Sequence, residues 1–217
     1  MYFVNRIELG QSLAEKVQYF KAQDAIVLCL NENALSTGIG LASSLRAWVY
    51  PLLTEPVIIP GDPRIIGLIN QEGQMCYNPG LSLYEREDLE MEYAGIIQDA
   101  SREAFSRLNR QANSLGFLNT EILRGRTIIL CADIIRDQLQ IAAAFELLKP
   151  ILTKGVVSVA GNVMTDAADA LQVATQKSDF MDVMTSMFDD DHYFEQPESY
   201  SIEERRQLAI NITRYWV

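Results

Sequence analysis

The sequence predicts an α/β fold with a mostly parallel central sheet flanked by helices. Three observations predict it. Short continuous apolar runs at residues 25–30, 127–132 and 156–160 read as strands buried on both faces. Between them lie stretches whose apolar residues recur at helical spacing. The alternation of the two favours a doubly wound sheet with right-handed crossovers.

In chain order, residues 7–21 carry Ile7, Leu9, Leu13, Val17 and Phe20 at roughly helical spacing and predict a first helix, which leads into the strand at 25–30. A polar loop from Asn31 precedes a helical stretch through Leu41, Leu45 and Trp48. Val57-Ile58-Ile59 is followed by Pro60-Gly61-Asp62-Pro63, a strong turn signal. Residues 65–69 and 75–77, split by Glu72-Gly73, read as short strands of a small hairpin. A long helix is expected from about 86 to 113, with Leu89, Tyr93, Ile96, Ala100, Ala104 and Leu108 as its apolar stripe. Beyond the strand at 127–132, the pattern predicts a helix over 138–148, a strand over 156–160, a helix over 166–175 and a last strand over 180–184. Ser201-Ile202-Glu203-Glu204 has capping-box spacing and starts a final helix. No repeat, low-complexity segment or long linker interrupts residues 1–217, which read as one domain.

Composition narrows the function. A chain of 217 residues, 48% hydrophobic and 22% charged, buries a substantial core. Its net charge of −11 argues against nucleic acid as a partner, because phosphate binding needs surplus Lys and Arg. The start, Met1-Tyr2-Phe3-Val4-Asn5-Arg6-Ile7-Glu8, lacks the pattern of a signal peptide. No stretch approaches the roughly 18 apolar residues of a membrane span. The three cysteines are an odd number, and Cys29 and Cys131 sit inside strand-like runs. Reduced, buried thiols in a cytoplasmic protein are expected, with neither a membrane nor nucleic acid as partner.

In sheets of this kind ligands bind in loops at the carboxyl ends of strands. Two loops therefore matter most. The first reads Asn31-Glu32-Asn33-Ala34-Leu35-Ser36-Thr37-Gly38-Ile39-Gly40. Gly38 and Gly40 partly match a dinucleotide fingerprint, but its third glycine falls at Ser43; close helix–sheet packing explains them better. The second loop follows Ala132 and reads Asp133-Ile134-Ile135-Arg136-Asp137-Gln138.

Residues 124–149, which contain this second loop, resemble the ribose-phosphate loop of the type I phosphoribosyltransferases. That family places an apolar strand, two acidic residues and a Gly- and Thr-rich phosphate loop before a helix. In detail the chain resembles a bacterial group of predicted phosphoribosyltransferases, over most of its length. Asn5-Arg6-Ile7-Glu8-Leu9-Gly10 with Leu13-Ala14 looks like that group's opening. Pro60-Gly61-Asp62-Pro63 with Ile66-Gly67 and Glu72-Gly73 is similar to its next segment, and residues 191–208 to its tail. The resemblance implies a phosphoribosyltransferase-like fold with a small hood or hairpin appendage, a homodimer, and a place in nucleotide metabolism.

The departures from the family bear on activity. Where the family has its acidic pair, this chain has Ala132 and Asp133. Ile134, Asp137, Gln138 and Gln140 replace its glycines and threonines, although a cradle of backbone N–H groups needs glycine conformations. A carboxylate roughly 5 Å from a phosphate charge, at an effective dielectric of about 20, repels it by on the order of 3 kcal/mol. That weakens binding by about two decades. Asp137 is expected to cap the following helix, and Arg136 to pair with Asp133 or Asp137, or else to hold an anionic ligand. At residues 31–34 the family group has a Pro, an Arg and two Gly. Glu32 stands in place of the Arg and reverses its charge.

Two altered phosphate loops predict a degenerate, non-catalytic protein with a binding, regulatory or assembly role and a small-molecule or protein partner. Asn31, Glu32, Asn33, Asp133, Arg136, Asp137 and Gln138 are its ligand-binding candidates, with no catalytic residue, metal or cofactor assigned. The alternative is an active phosphoribosyltransferase acting on a nucleobase or related acceptor, in which Asp133 holds ribose hydroxyls or Mg²⁺ and Arg136 contacts an anion. A third reading keeps binding without chemistry, in a pocket made acidic by Glu32, Asp133 and Asp137 that takes an uncharged or cationic molecule. No G-x-S-x-G, P-loop or paired C-x-x-C occurs. Asp190, His192 and Glu195 could bind a metal in principle, but a solvated acidic loop is expected. Tyr193, Phe194, Tyr200, Tyr215 and Trp216 form an aromatic tail that either packs on the core or meets a second subunit.

Overall fold

The computed structural model describes residues 1–115, 118–196 and 200–215, the side chains of 111–115 and 213–215 excepted. In chain order its elements are α1 (Arg6–Lys16), β1 (Ala25–Cys29), α2 (Leu35–Leu45), β2 (Trp48–Pro51), β3 (Thr54–Ile58), β4 (Ile65–Asn70), β5 (Met75–Tyr77), α3 (Leu83–Leu115), β6 (Thr127–Ile135), α4 (Leu139–Leu148), β7 (Gly155–Met164), α5 (Thr165–Ala174), β8 (Lys177–Met184) and α6 (Ile202–Tyr215). They fall into two compact units. One comprises Met1–Leu52, Leu118–Asp137 and Ile151–Val217, the other Leu53–Phe117 and Gln138–Pro150.

In the first unit the continuous apolar runs become the middle of a five-stranded sheet, ordered β2-β1-β6-β7-β8. All its neighbours pair in parallel. β1 and β6 are buried at every position, as strands covered on both faces must be. Their register sets Ile26 beside Ile128, Val27 beside Ile129 and Cys29 beside Cys131. From β1 the chain runs outward to β2, and from β6 it runs the other way to β7 and β8. The loops after β1 and β6 therefore leave the sheet at its switch point, where ligands of such folds are bound.

Local chemistry explains where elements begin and end. Asn5 caps α1, its side-chain oxygen accepting from the Glu8 N–H at 2.9 Å. The helix stops at Lys16, short of the expected 21, and a 3-10 turn takes Gln18–Phe20. Ser201 opens α6 with the expected capping box: its N–H donates to the Glu204 carboxylate at 2.8 Å, and Glu204 N–H donates back to its hydroxyl at 3.3 Å.

Three expectations are corrected. Trp48 does not extend α2 but opens β2, because Arg46 turns left-handed (φ 57°) and ends the helix. Asp133, Ile134 and Ile135 are not loop but the end of β6, held there by pairing of Ile134 with Asn162 and Ile135 with Val163 of β7. Gly38 does face the sheet, against Cys29 and Val49, whereas Gly40 lies against the Ile7 backbone of α1.

The second unit is a three-stranded antiparallel sheet, β3-β4-β5, with α3 and α4. Leu89, Ile97 and Ala104 of α3 join Val57, Ile66 and Ile69 in one core cluster. Leu139 and Ala143 of α4 pack with Leu68 in another. The predicted α3 stripe fails at two positions: Tyr93 and Ile96 are 38% and 43% exposed, and Ile97 is buried instead. Tyr93 breaks the helix (φ −124°, ψ 16°), which resets the phase of the turns that follow.

Cys29 and Cys131 are free and buried, as expected, while the free Cys76 is half-buried. Among the described residues no helix is long and apolar enough to cross a membrane.

Candidate functional site

The sole acid retained on β6 is turned inward. Asp133 is 2% exposed and pairs with Arg6 of α1, the Nε donating to its Oδ2 at 2.8 Å. Its other oxygen accepts from the Ile134 N–H at 2.9 Å. Arg6 also donates from Nη2 to Asp191 at 2.9 Å and lies over the Phe194 ring, 4.4 Å from its centroid. The main anchor of this candidate acid is thus an arginine 127 residues away in sequence. Burial pushes the Asp133 carboxyl above its ordinary range, against the pull of Arg6 and the Ile134 N–H.

Around this pair the segment after β8 is tied down. The Tyr193 hydroxyl accepts from the Phe188 N–H at 2.8 Å, and the Phe3 N–H donates to the Tyr193 carbonyl at 2.8 Å. Tyr193 and Phe194 are buried at 1% and 5% exposure, so this part of the aromatic tail packs on its own chain. Tyr200 is 43% exposed, and the Tyr215 side chain and Trp216 lie outside the described residues. Asp190 and His192 have other occupations than a metal: Asp190 holds Arg136 and the His192 ring bonds the Tyr2 hydroxyl at 2.7 Å. Among the described residues no group of three His, Cys, Asp or Glu could hold a metal ion.

Arg136 pairs with neither of its expected partners. Its guanidinium bonds Asp190 at 2.6 Å and the Phe188 carbonyl. Both charges are well exposed, 42% and 38%, so solvent screens the pair. Arg136→Ala is expected to change stability by less than about 1 kcal/mol, read by urea unfolding. A loss several times larger would show that this pair fixes the segment after β8.

Asp137 is exposed. The residue that opens α4 is Gln138, already helical (φ −86°, ψ −6°) and without a side-chain cap of its own. Ile134, expected to crowd a phosphate cradle, is a strand residue, so only Arg136 and Asp137 remain of that loop in the first unit.

The loop after β1 is filled in a different way. Asn31 folds over the turn, its Oδ1 accepting from the Ala34 N–H at 2.8 Å, while Asn33 is exposed. Glu32 is held twice from α6. Its carbonyl accepts from Arg205 Nη1 at 3.0 Å, and its carboxylate pairs with Arg206. Sequence reasoning singled out Glu32 and Asp133 but missed Arg6, Arg205 and Arg206. A buried carboxylate demands a cation, yet nothing local says which of the arginines supplies it.

The fold is shared with a solved structure. Protein TT1426 of Thermus thermophilus superposes with a TM-score of 0.76 over 97% of this chain and 99% of that one, at 17% identity. A purine phosphoribosyltransferase of Pyrococcus horikoshii aligns at a TM-score of 0.43, with 10% identity and 85% and 91% of the two chains covered. A hypoxanthine-guanine phosphoribosyltransferase of Bacillus anthracis aligns at 0.45, with 10% identity and 88% of each covered. No protein-family model matches the sequence, and no curated protein matches it. The parallel five-stranded sheet flanked by helices, with its small antiparallel sheet, agrees with the phosphoribosyltransferase-like architecture expected from the sequence.

Proposed function

We propose that this phosphoribosyltransferase-like chain is a non-catalytic binding or regulatory protein whose two phosphate loops are satisfied from within. One observation carries the reading: the Asp133 carboxylate, the remaining ribose- and metal-binding acid of the family pattern, is buried and paired with Arg6 at 2.8 Å. To hold Mg²⁺ or ribose hydroxyls it would have to abandon both Arg6 and the Ile134 N–H. Mg²⁺ needs oxygen ligands free to approach at about 2.1 Å; Asp133 and the nearby Asp190, each ion-paired to an arginine, do not fit it. Glu32, paired with Arg206 where the family carries an arginine of its own, supports the same reading at the other loop. The setting in the cytoplasm follows from the reduced thiols, and the homodimer from the family resemblance.

Calorimetric titration of phosphoribosyl diphosphate with Mg²⁺ into the purified protein tests this, with no heat expected. Micromolar binding would overturn the reading of the two loops, and Mg²⁺-dependent release of pyrophosphate that Asp133→Asn abolishes would establish the active alternative.

A further inference from the structure

Little holds α3 to its own unit over about its first four turns. Every residue from Leu83 to Ile96 is exposed except Leu89. Leu83, Tyr84 and Met91 are exposed at 78%, 72% and 84%, so three large apolar side chains of one helix stand in water. An isolated helix of this length is marginal, because packing supplies most of the stability of helices in proteins. Charge is also uneven along α3. Residues 83–92 hold five acids against one arginine, and residues 101–110 hold three arginines against one glutamate. Arg64 and Arg86 reach Glu85 and Glu90, whereas Glu87, Asp88 and Glu92 have no cation within ion-pair distance among the described residues. Like charges at i, i+4, such as Asp88 and Glu92, destabilise a helix.

We infer that the outer face of α3 is where two copies of this chain pair, their α3 helices running antiparallel about a two-fold axis. The charges choose the occupant. Set antiparallel, the acidic stretch of each α3 lies along the arginine stretch of the other, and Glu87 of each copy meets Arg102 of the other. Arg102 is available for this, since its side chain is 69% exposed and its contact with Asp99 is a surface pair at 3.4 Å. A parallel pairing would set acid against acid. Exposed ion pairs fix orientation more than they supply affinity. Leu83, Tyr84 and Met91 supply the apolar area, and Tyr, Met and Arg are residue types enriched at interfaces. One face serves both copies, as a closed two-fold dimer requires. The family resemblance implies a homodimer without saying which surface forms it, and the two phosphate loops play no part in this choice.

The test is sedimentation equilibrium of the unaltered protein, Met91→Glu, Glu87→Arg, Arg102→Glu and the double variant Glu87→Arg/Arg102→Glu. The unaltered protein is expected to be a dimer. Met91→Glu is expected to raise its dissociation constant at least about tenfold, as loss of a central apolar contact does. Each single reversal sets like charges opposite each other twice and is expected to cost about tenfold. The double variant restores the pairs and is expected to return to within about threefold of the unaltered protein. A monomer at every concentration, a dimer indifferent to Met91→Glu, or a double variant no better than either single reversal overturns the inference. Met91, Glu87 and Arg102 are all exposed, so the variants are expected to fold, which circular dichroism checks. Should a charged variant not fold, Tyr84→Ala/Met91→Ala takes its place, with the same weakening expected and an unchanged dimer overturning the inference. None of these residues belongs to either phosphate loop. A monomer would therefore sink the α3 interface and leave the non-catalytic reading to the phosphoribosyl diphosphate titration.

Discussion

Arg6→Met is expected to destabilise the protein by about 3–5 kcal/mol near pH 8, because it leaves a buried carboxylate with no cation. Asp133 and Arg6 are 3% and 6% exposed at the side chain, so solvent does not screen the loss. The pair's two members lean differently. Burial would lower Arg6, but the charges and hydrogen bonds of Asp133 and Asp191 outweigh it and hold the guanidinium above its ordinary value. At Asp133 burial wins, because the side chain is almost wholly out of water. The carboxyl stays raised although Arg6 and the Ile134 N–H pull it down, and the charge of Asp190 adds to the rise.

The sign of the pH dependence follows. A carboxyl raised in the folded state holds its proton more tightly there than in the unfolded chain. Its stability contribution is complete below the ordinary value of 3.8 and is lost as pH rises through the folded value. Without Arg6 that folded value climbs further, so the Arg6→Met deficit is expected to be smaller near pH 5 than near pH 8. Urea unfolding at both values measures it. Arg6→Met/Asp133→Leu is expected to recover much of the loss, because an apolar pair can replace a buried ion pair at little cost. A single-variant deficit below about 1 kcal/mol, or one that ignores pH, would mean that Arg6 does not balance the buried charge of Asp133.

Gly10→Ala and Gly40→Ala are each expected to cost about 3 kcal/mol, at the upper end for overpacking. These two glycines let α1 and α2 cross backbone to backbone. A methyl on Gly10 would run into the Thr37 carbonyl and stand 2.7 Å from the Leu41 nitrogen; one on Gly40 would run into the Ile7 carbonyl, 2.9 Å from its carbon. Every one of those atoms is main chain, so no side chain can swing aside and the helices must part. Gly95→Ala in α3 is the control of opposite sign. A methyl there meets nothing within 4 Å, and alanine favours a helix over glycine by up to about 1 kcal/mol. Thermal or urea unfolding of the three variants checks the ordering. Near-neutral Gly10→Ala and Gly40→Ala would show that the crossing has slack.

Particular residues show how far the sequence can be read. The runs Ala25-Ile26-Val27-Leu28 and Thr127-Ile128-Ile129-Leu130 mark the two central strands because a strand covered on both faces must be apolar throughout. The turn Pro60-Gly61-Asp62-Pro63 and the Ser201 capping box are legible for the same reason: each depends on neighbours a few residues apart. Trp48 misleads because the helix before it ends on a left-handed arginine, not on the glycine that usually marks such a stop. Tyr93 and Ile96 fit a perfect helical stripe, but a kink lies between the turns.

The chain by itself determined its fold class, the order along the sequence of its strands and helices other than β2, and the two loops at the switch point of the sheet. Those are consequences of periodicity and backbone chemistry, which act over short separations. Only the tertiary structure decided what Asp133 and Glu32 pair with. Asp133 is 127 residues from Arg6, and Glu32 is 174 residues from Arg206. An ion pair leaves no local pattern, because any arginine brought close satisfies any carboxylate. The parallel sheet and the helices packed on it choose the partners, and that choice pairs Asp133 and Glu32 with the chain's own arginines.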